Sequence, residues 1–63
     1  MIINGKPVEY KPQSLLEYLL EAGYRPDYIV VERAREIITK ERFAATQLQP
    51  DDDINILHFM GGG

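Results

Sequence analysis

The chain has 63 residues, of which 44% are hydrophobic and 27% charged, a balance typical of one small folded domain. It contains no cysteine, which excludes disulfides, cysteine-based zinc sites, iron–sulfur clusters and thiol nucleophiles. Its net charge of −3 disfavours binding to nucleic acid. No apolar run approaches the roughly 20 residues that cross a bilayer, and no basic-then-apolar leader opens the chain. We therefore expect a cytoplasmic protein that binds neither nucleic acid nor membrane.

The first eleven residues predict a β-hairpin. Asn4-Gly5 separates two short β-like segments, and both residues tolerate the positive φ that a tight turn requires. Pro7 has no N–H to donate, so it suits the start of a strand. The predicted strands lie at about residues 1–4 and 7–11.

A single helix is predicted to follow the hairpin. Ser14-Leu15-Leu16-Glu17 matches a capping box, in which the serine oxygen accepts a backbone N–H and the glutamate reaches back to the cap. Gly23 supplies the left-handed residue that ends the helix. The apolar residues recur at helical spacing: Leu15, Leu16, Leu19, Leu20 and Ala22.

Two more extended segments and one helical turn are predicted after the helix. Residues 28–33 alternate as a strand does, and Ala34-Arg35 turns the chain into a short extended segment at 36–38. Residues 40–45 are predicted to form a single helical turn that places Phe43 inside the domain.

The last strand is predicted at residues 54–60, after a turn formed by Pro50-Asp51-Asp52-Asp53. Alternation places Ile54 and Ile56 on one face. The opposite face then carries three side chains: Asn55, Leu57 and Phe59.

This order of elements predicts an α+β fold. Only one helix is available to cover the sheet, so a four-to-five-stranded mixed sheet must pack one face on that helix and wrap around it, which is the β-grasp architecture. We expect the first and last strands to pair in parallel at the centre. The predicted folded domain spans residues 1–60.

Gly61, Gly62 and Gly63 are predicted to form a flexible C-terminal tail. Glycine has no side chain to bury and loses more backbone entropy on ordering than any other residue. The tail would reach at most about 10 Å and would carry one chemical group, the α-carboxylate of Gly63. A thin arm of this kind suits delivery of the carboxylate into a narrow channel of another protein. The alternative is a frayed end without function.

The sequence resembles the small sulfur carriers of the ubiquitin-like superfamily, and most closely those of the thiamine pathway. The resemblance covers nearly the whole chain, and its motifs are Ile3-Asn4-Gly5, the helix at 15–20, Ile29-Val30-Val31, Glu36-Ile37-Ile38, Ile54-Asn55-Ile56 and Gly62-Gly63. One difference is Ala34-Arg35, where family members often carry Asn-Gly.

The resemblance implies a carrier and not an enzyme. An adenylyltransferase related to ubiquitin-activating enzymes would use ATP to adenylate the Gly63 carboxylate. Sulfur from a persulfide-bearing protein would then replace AMP and leave a C-terminal thiocarboxylate, from which thiazole synthase would take the sulfur. The chain has no phosphate-binding loop of the P-loop type, so ATP would bind the partner. We expect no bound cofactor and no metal.

Leu57 and Phe59, with Val30 beside them, are predicted to form a docking patch for the activating enzyme and the synthase. The alternative is that loop residues cover them. His58 is interpreted as an edge residue, and the aspartates at 51–53 as a solvated turn rather than a calcium site.

Three other functions remain open at this point. The chain could carry sulfur for molybdopterin synthesis. It could be a ubiquitin-like modifier whose Gly63 becomes linked to a target lysine. It could also be a β-grasp interaction module with an inert tail.

Overall fold

The computed structural model describes residues 1–59. The predicted tail at Gly61, Gly62 and Gly63, and the last residue of the predicted 1–60 domain, lie outside the described residues. The helices and strands are β1 (Ile2–Ile3), β2 (Lys6–Pro7), α1 (Leu15–Glu21), β3 (Ile29–Arg33), β4 (Glu36–Ile38) and β5 (Asp53–His58), with short 3-10 turns at Pro26–Tyr28 and Lys40–Arg42. None of the described helices has the length and hydropathy of a membrane span.

The sheet has five strands in the order β2-β1-β5-β3-β4. β1 and β5 run parallel, whereas the β1–β2, β3–β5 and β3–β4 pairs are antiparallel. One helix covers one face of this mixed sheet, so the predicted α+β, β-grasp arrangement and its parallel pairing of the first and last strands are confirmed.

The hydrophobic core lies between α1 and the covered face of the sheet. Leu15 and Leu19 are fully buried on the helix. Leu20 is 56% exposed, although its spacing suggested the same apolar face, because it lies about 100° around the helix from Leu19. The buried core consists of Ile3, Leu15, Leu19, Ile29, Val31, Ile38, Phe43, Leu48, Ile54 and Ile56.

The helix begins at the predicted capping box. Ser14 Oγ accepts the backbone N–H of Glu17 at 3.1 Å, and Glu17 Oε1 accepts the backbone N–H of Ser14 at 2.9 Å. Gly23 has φ +88° and donates its N–H to the carbonyl of Leu20 at 3.2 Å, which ends the helix as expected.

Several predicted strand boundaries are wrong. The second strand is Lys6–Pro7 rather than 7–11, because after Val8 the chain leaves the sheet to reach the start of the helix. The third strand begins at Ile29 and not at residue 28, because Tyr28 belongs to a 3-10 turn whose N–H donates to the carbonyl of Arg25 at 2.9 Å. The first strand is Ile2–Ile3 rather than 1–4, and the last strand runs from Asp53 to His58 rather than over 54–60.

The predicted turn around Phe43 is confirmed. A 3-10 turn occupies Lys40–Arg42, and Phe43 at its end is only 1% exposed. Its ring fills the core beneath the sheet, so it does not cover the opposite face.

Both tight turns of the sheet use left-handed backbone conformations. Asn4 and Gly5 have φ of 52° and 79°, as their residue types predict. Ala34 and Arg35 have φ of 52° and 68°, although neither residue type favours this region. The β3–β4 turn therefore carries backbone strain that the flanking strand pairs hold in place.

We expect Arg35→Gly to raise the free energy of unfolding by about 0.5–1 kcal/mol, because glycine adopts positive φ without the steric cost of a Cβ. Urea denaturation followed by circular dichroism measures the change. Arg25 is the matched control, since it is also exposed but has φ −105°. Arg25→Gly should leave stability unchanged or lower it. A destabilised Arg35→Gly variant would contradict the assignment of strain to this turn.

An ion pair fixes the turn before β5 to the end of β3. The Arg33 guanidinium donates from Nε to Asp52 Oδ1 at 3.0 Å and from Nη2 to Asp52 Oδ2 at 2.6 Å. Nη2 also donates to the carbonyl of Gln47 at 2.8 Å, and Asp52 Oδ2 accepts the N–H of Gln49 at 2.7 Å. Burial by itself would raise the pKa of Asp52, but the hydrogen bonds from Arg33 and Gln49 and the charge of Arg33 hold that pKa below its ordinary value.

We expect Asp52→Asn to lower the free energy of unfolding at neutral pH by about 1–2 kcal/mol, the contribution of a charge-assisted hydrogen bond. Because the folded-state pKa of Asp52 is depressed, its stabilisation is present above the ordinary pKa of 3.8 and is lost as the pH falls through the folded-state pKa. Denaturation curves of both proteins from neutral to acid pH should therefore converge.

Asp53→Asn is the control for this pair, because Asp53 is exposed and makes no side-chain hydrogen bond within residues 1–59. It should follow the wild-type pH dependence. A constant difference between wild type and Asp52→Asn at every pH would show that the carboxylate charge is not what stabilises the turn.

Candidate functional site

The candidate site lies at the end of β5, because the chain passes from there into the glycines that carry the predicted reactive group. β5 pairs with β3 from Ile54 to His58, with Leu57 opposite Val30 and His58 opposite Ile29. The N–H of Phe59 donates to the carbonyl of Tyr28 at 3.0 Å, so the pairing reaches the last described residue. The strand that leads to the tail is therefore held up to residue 59.

The predicted docking patch of Val30, Leu57 and Phe59 lies on the sheet face away from the helix. Leu57 and Phe59 are 56% and 45% exposed, while Ile54 and Ile56 are buried on the covered face, as alternation predicts. We name these three residues the apolar patch. The predicted exposure of Leu57 and Phe59 is therefore confirmed, Val30 is half-buried, and the docking role stays a prediction.

Two exposed apolar residues of the same face were not identified from the sequence. Ile37 is 53% exposed and pairs with Glu32, which lies on the same face as Val30. Ile2 is 39% exposed and pairs with Asp53. The sequence did indicate the exposure of one isoleucine in Glu36–Ile38, since only one of two consecutive isoleucines in a strand can face the core.

The uncovered face changes from apolar to polar along the strands. Next to the apolar patch, Asn55 Nδ2 donates to Glu32 Oε1 at 3.4 Å across β3 and β5. Beyond this pair, on the same face, lies Asp53, the exposed first residue of β5. The apolar patch thus lies at the end of β5, while Ile37 and Ile2 are exposed elsewhere on the same face.

His58 lies on the helix side of β5 and stacks on Tyr24. The ring centroids are 5.5 Å apart and the ring planes are inclined by 27°. Tyr24 follows the helix and donates its N–H to the carbonyl of Leu19 at 2.8 Å. The stack attaches the end of β5 to the end of the helix, which agrees with the interpretation of His58 as an edge residue.

Asn4 has a structural role that sequence reasoning missed. Its Oδ1 accepts the N–H of Ile56 at 2.6 Å, across 52 residues of sequence. The turn signal of Asn4-Gly5 explains the backbone conformation, but only the fold brings the side chain to β5. The side chain takes the position that the next backbone carbonyl of β1 would occupy.

The chemistry available in the described part of the chain is that of a binding surface. Residues 1–59 include no group of three or more histidine, aspartate or glutamate side chains placed to hold a metal ion. The pKa of Tyr18 is raised by burial and by the neighbouring Tyr24, but it lies on the helix, on the opposite layer from the apolar patch.

Comparison with known proteins gives a consistent result. The sequence model of the ThiS family matches residues 1–63. The sulfur carrier protein ThiS of Bacillus subtilis is 41% identical over 63 residues, covering 97% of this chain and 96% of that protein. The crystal structure of the thiamine biosynthesis protein ThiS from Geobacter metallireducens superposes with a TM-score of 0.79 at 32% identity, covering 98% of this chain and 96% of that one. These matches confirm the ubiquitin-like β-grasp fold.

Two longer relatives match the same chain. A thiazole synthase of Magnetococcus marinus is 37% identical over 62 residues, which are 97% of this chain but only 19% of that protein. A thiazole synthase of Paramagnetospirillum magneticum is 33% identical over 64 residues, or 20% of its length. The chain therefore spans about a fifth of these two proteins and nearly all of the carrier from Bacillus subtilis.

Proposed function

The chain belongs to the ThiS family, and on this premise we propose that it is a sulfur carrier for the synthesis of the thiamine thiazole. The observation that carries the proposal is the 41% identity to a sulfur carrier across almost the full length of both proteins. In this role the chain is a protein substrate and not a catalyst.

The proposed reactive group is the carboxylate of Gly63. A carboxylate is a poor electrophile, so an adenylyltransferase first joins one of its oxygens to the α-phosphorus of ATP and releases pyrophosphate. The terminal sulfur of a protein persulfide then attacks the carbonyl carbon, and AMP leaves with the bonding electrons. A thiol reduces the remaining S–S bond and releases the thiocarboxylate. The chain has no cysteine, so the terminus is the place where it would carry sulfur covalently.

The partner supplies the nucleotide site in this proposal, and the apolar patch supplies the contact with the partner. Leu57 and Phe59 are separated from the predicted tail at 61–63 by Met60 in the sequence, and they expose an apolar surface of the kind that interfaces bury. In this proposal, a partner that binds the apolar patch has the entrance of its channel next to the start of the tail. We place this ATP-dependent reaction in the cytoplasm.

Thiazole synthase is the proposed acceptor of the sulfur. Support comes from the two relatives named thiazole synthase, which contain a segment similar to this whole chain. The same matches favour the thiamine pathway over a carrier role in molybdopterin synthesis. A ubiquitin-like modifier would instead form amide-linked conjugates, which immunoblotting of cell extract would detect.

We expect deletion of Gly63 to abolish ATP-dependent charging, because the carboxylate then lies about 3.5 Å short of its position in the channel. Intact-protein mass spectrometry measures charging as the mass gained when one oxygen is exchanged for sulfur. Reactions without ATP are the control. The thermal midpoint should hardly change, because a terminal glycine adds no packing. Normal charging of the shortened chain, or no charging of wild type by any adenylating enzyme, would contradict the proposed function.

We expect Leu57→Arg to weaken binding to the adenylating enzyme by at least about tenfold, or roughly 1.4 kcal/mol, because it places a charge in an apolar interface. Leu20→Arg is the matched control, since Leu20 is also 56% exposed but lies on the helix. Isothermal titration calorimetry measures both affinities, and thermal melts should show similar stability for the two variants. Equal affinities for the two variants would remove the apolar patch from the interface.

A further inference from the structure

Successive residues of β5 direct their backbone groups to opposite neighbours. The N–H of Phe59 donates to Tyr28 on the β3 side, whereas the N–H of Ile56 donates to Asn4 on the β1 side. Backbone groups alternate along a strand, so Leu57 and Phe59 face β3, and Ile56 and His58 face the side of β1.

β1 is too short to pair with the end of β5. Its pairs with β5 are Ile2 with Asp53 and Ile3 with Ile54, and the side chain of Asn4 occupies the next position. Among residues 1–59, no group pairs with the carbonyl of Ile56 or with the N–H and carbonyl of His58 on this side. We name these three backbone groups the open edge.

The space beside the open edge is not filled by the neighbouring turn, and His58 is exposed, whereas Ile56 is only 4% exposed. Asn4 and Gly5 at the adjacent turn are exposed, and a Cβ added to Gly5 would meet no atom within 4 Å. The ring of His58 is stacked on Tyr24 at the helix side and so does not cover the edge. Leu57, between the two residues of the edge, directs its side chain to the uncovered face.

The open edge and the apolar patch adjoin each other, and this has a consequence for docking. A partner that removes water from Leu57 and Phe59 also removes water from the neighbouring backbone of His58, which is exposed in the free chain. Backbone polar groups that lose water without gaining a hydrogen bond oppose binding. Full satisfaction of the open edge therefore requires a partner that supplies two donors and one acceptor.

We propose that the adenylating partner adds an extended segment of its own chain to the open edge, as a further strand of the sheet. A carbonyl of that segment accepts the N–H of His58, and an N–H of the segment donates to the carbonyl of Ile56. This inference rests on the proposed function. A partner can bind glycines only through their backbone groups. Strand addition at His58 likewise relies on backbone hydrogen bonds.

The first test measures amide hydrogen exchange of the wild-type chain by NMR. The chain is measured both alone and in complex with the adenylating enzyme that co-purifies with it. In the free chain the His58 amide should exchange at least about tenfold faster than the hydrogen-bonded amides of Ile56 and Leu57. In the complex it should slow to a comparable rate. Unchanged exchange at His58 in a complex that charges Gly63 would overturn the inference and leave the proposed function intact.

The second test compares His58→Pro with His58→Ala. Both variants lose the stack on Tyr24, but only proline removes the N–H of the open edge. We expect His58→Pro to bind the adenylating enzyme at least about tenfold more weakly than His58→Ala. Equal affinities of the two folded variants would overturn the inference. If His58→Pro does not fold, the exchange measurement on wild type decides. Failure of wild type to bind or to be charged would instead reject the proposed function.

Discussion

The parallel pairing of β1 with β5 is the interaction on which the rest of the structure depends. It joins the beginning of the chain to its last strand, with Ile3 beside Ile54, and so closes nearly the whole sequence into one sheet. The entropy cost of closing so long a loop rises only slowly with length, and the buried side chains of β5 offset it. Because β5 lies between β1 and β3, its register determines where the tail leaves the domain.

Three contacts determine that register, and each lies at a different level of the strand. The Arg33–Asp52 ion pair holds the turn before the strand, Asn4 Oδ1 holds its middle at Ile56, and the carbonyl of Tyr28 holds its end. A slip of one residue would move Ile54 and Ile56 out of the core and Leu57 into it. Core packing and presentation of the apolar patch are therefore two consequences of one alignment.

Strain and binding surface lie at opposite ends of the sheet. The left-handed Ala34 and Arg35 form the β3–β4 turn, beside the start of β5, whereas the apolar patch and the open edge lie at its end. Relief of the strained turn is thus expected to change stability without touching the surface proposed to meet the partner. The short hairpin of β1 and β2, in contrast, bears directly on the proposed binding surface, because the early end of β1 leaves the open edge of β5 unpaired.

Local signals in the sequence determined the features whose partners are close along the chain. Asn4-Gly5 identified the first turn, the capping box identified the start of the helix, and alternation identified the buried and exposed sides of β5, including Leu57. Tertiary structure alone decided the features whose partners are distant: the early end of the second strand, the hydrogen bond from Ile56 to Asn4 and the Arg33–Asp52 ion pair. The physical reason is that capping and alternation act over a few residues, whereas these contacts exist only after the sheet has brought distant segments together.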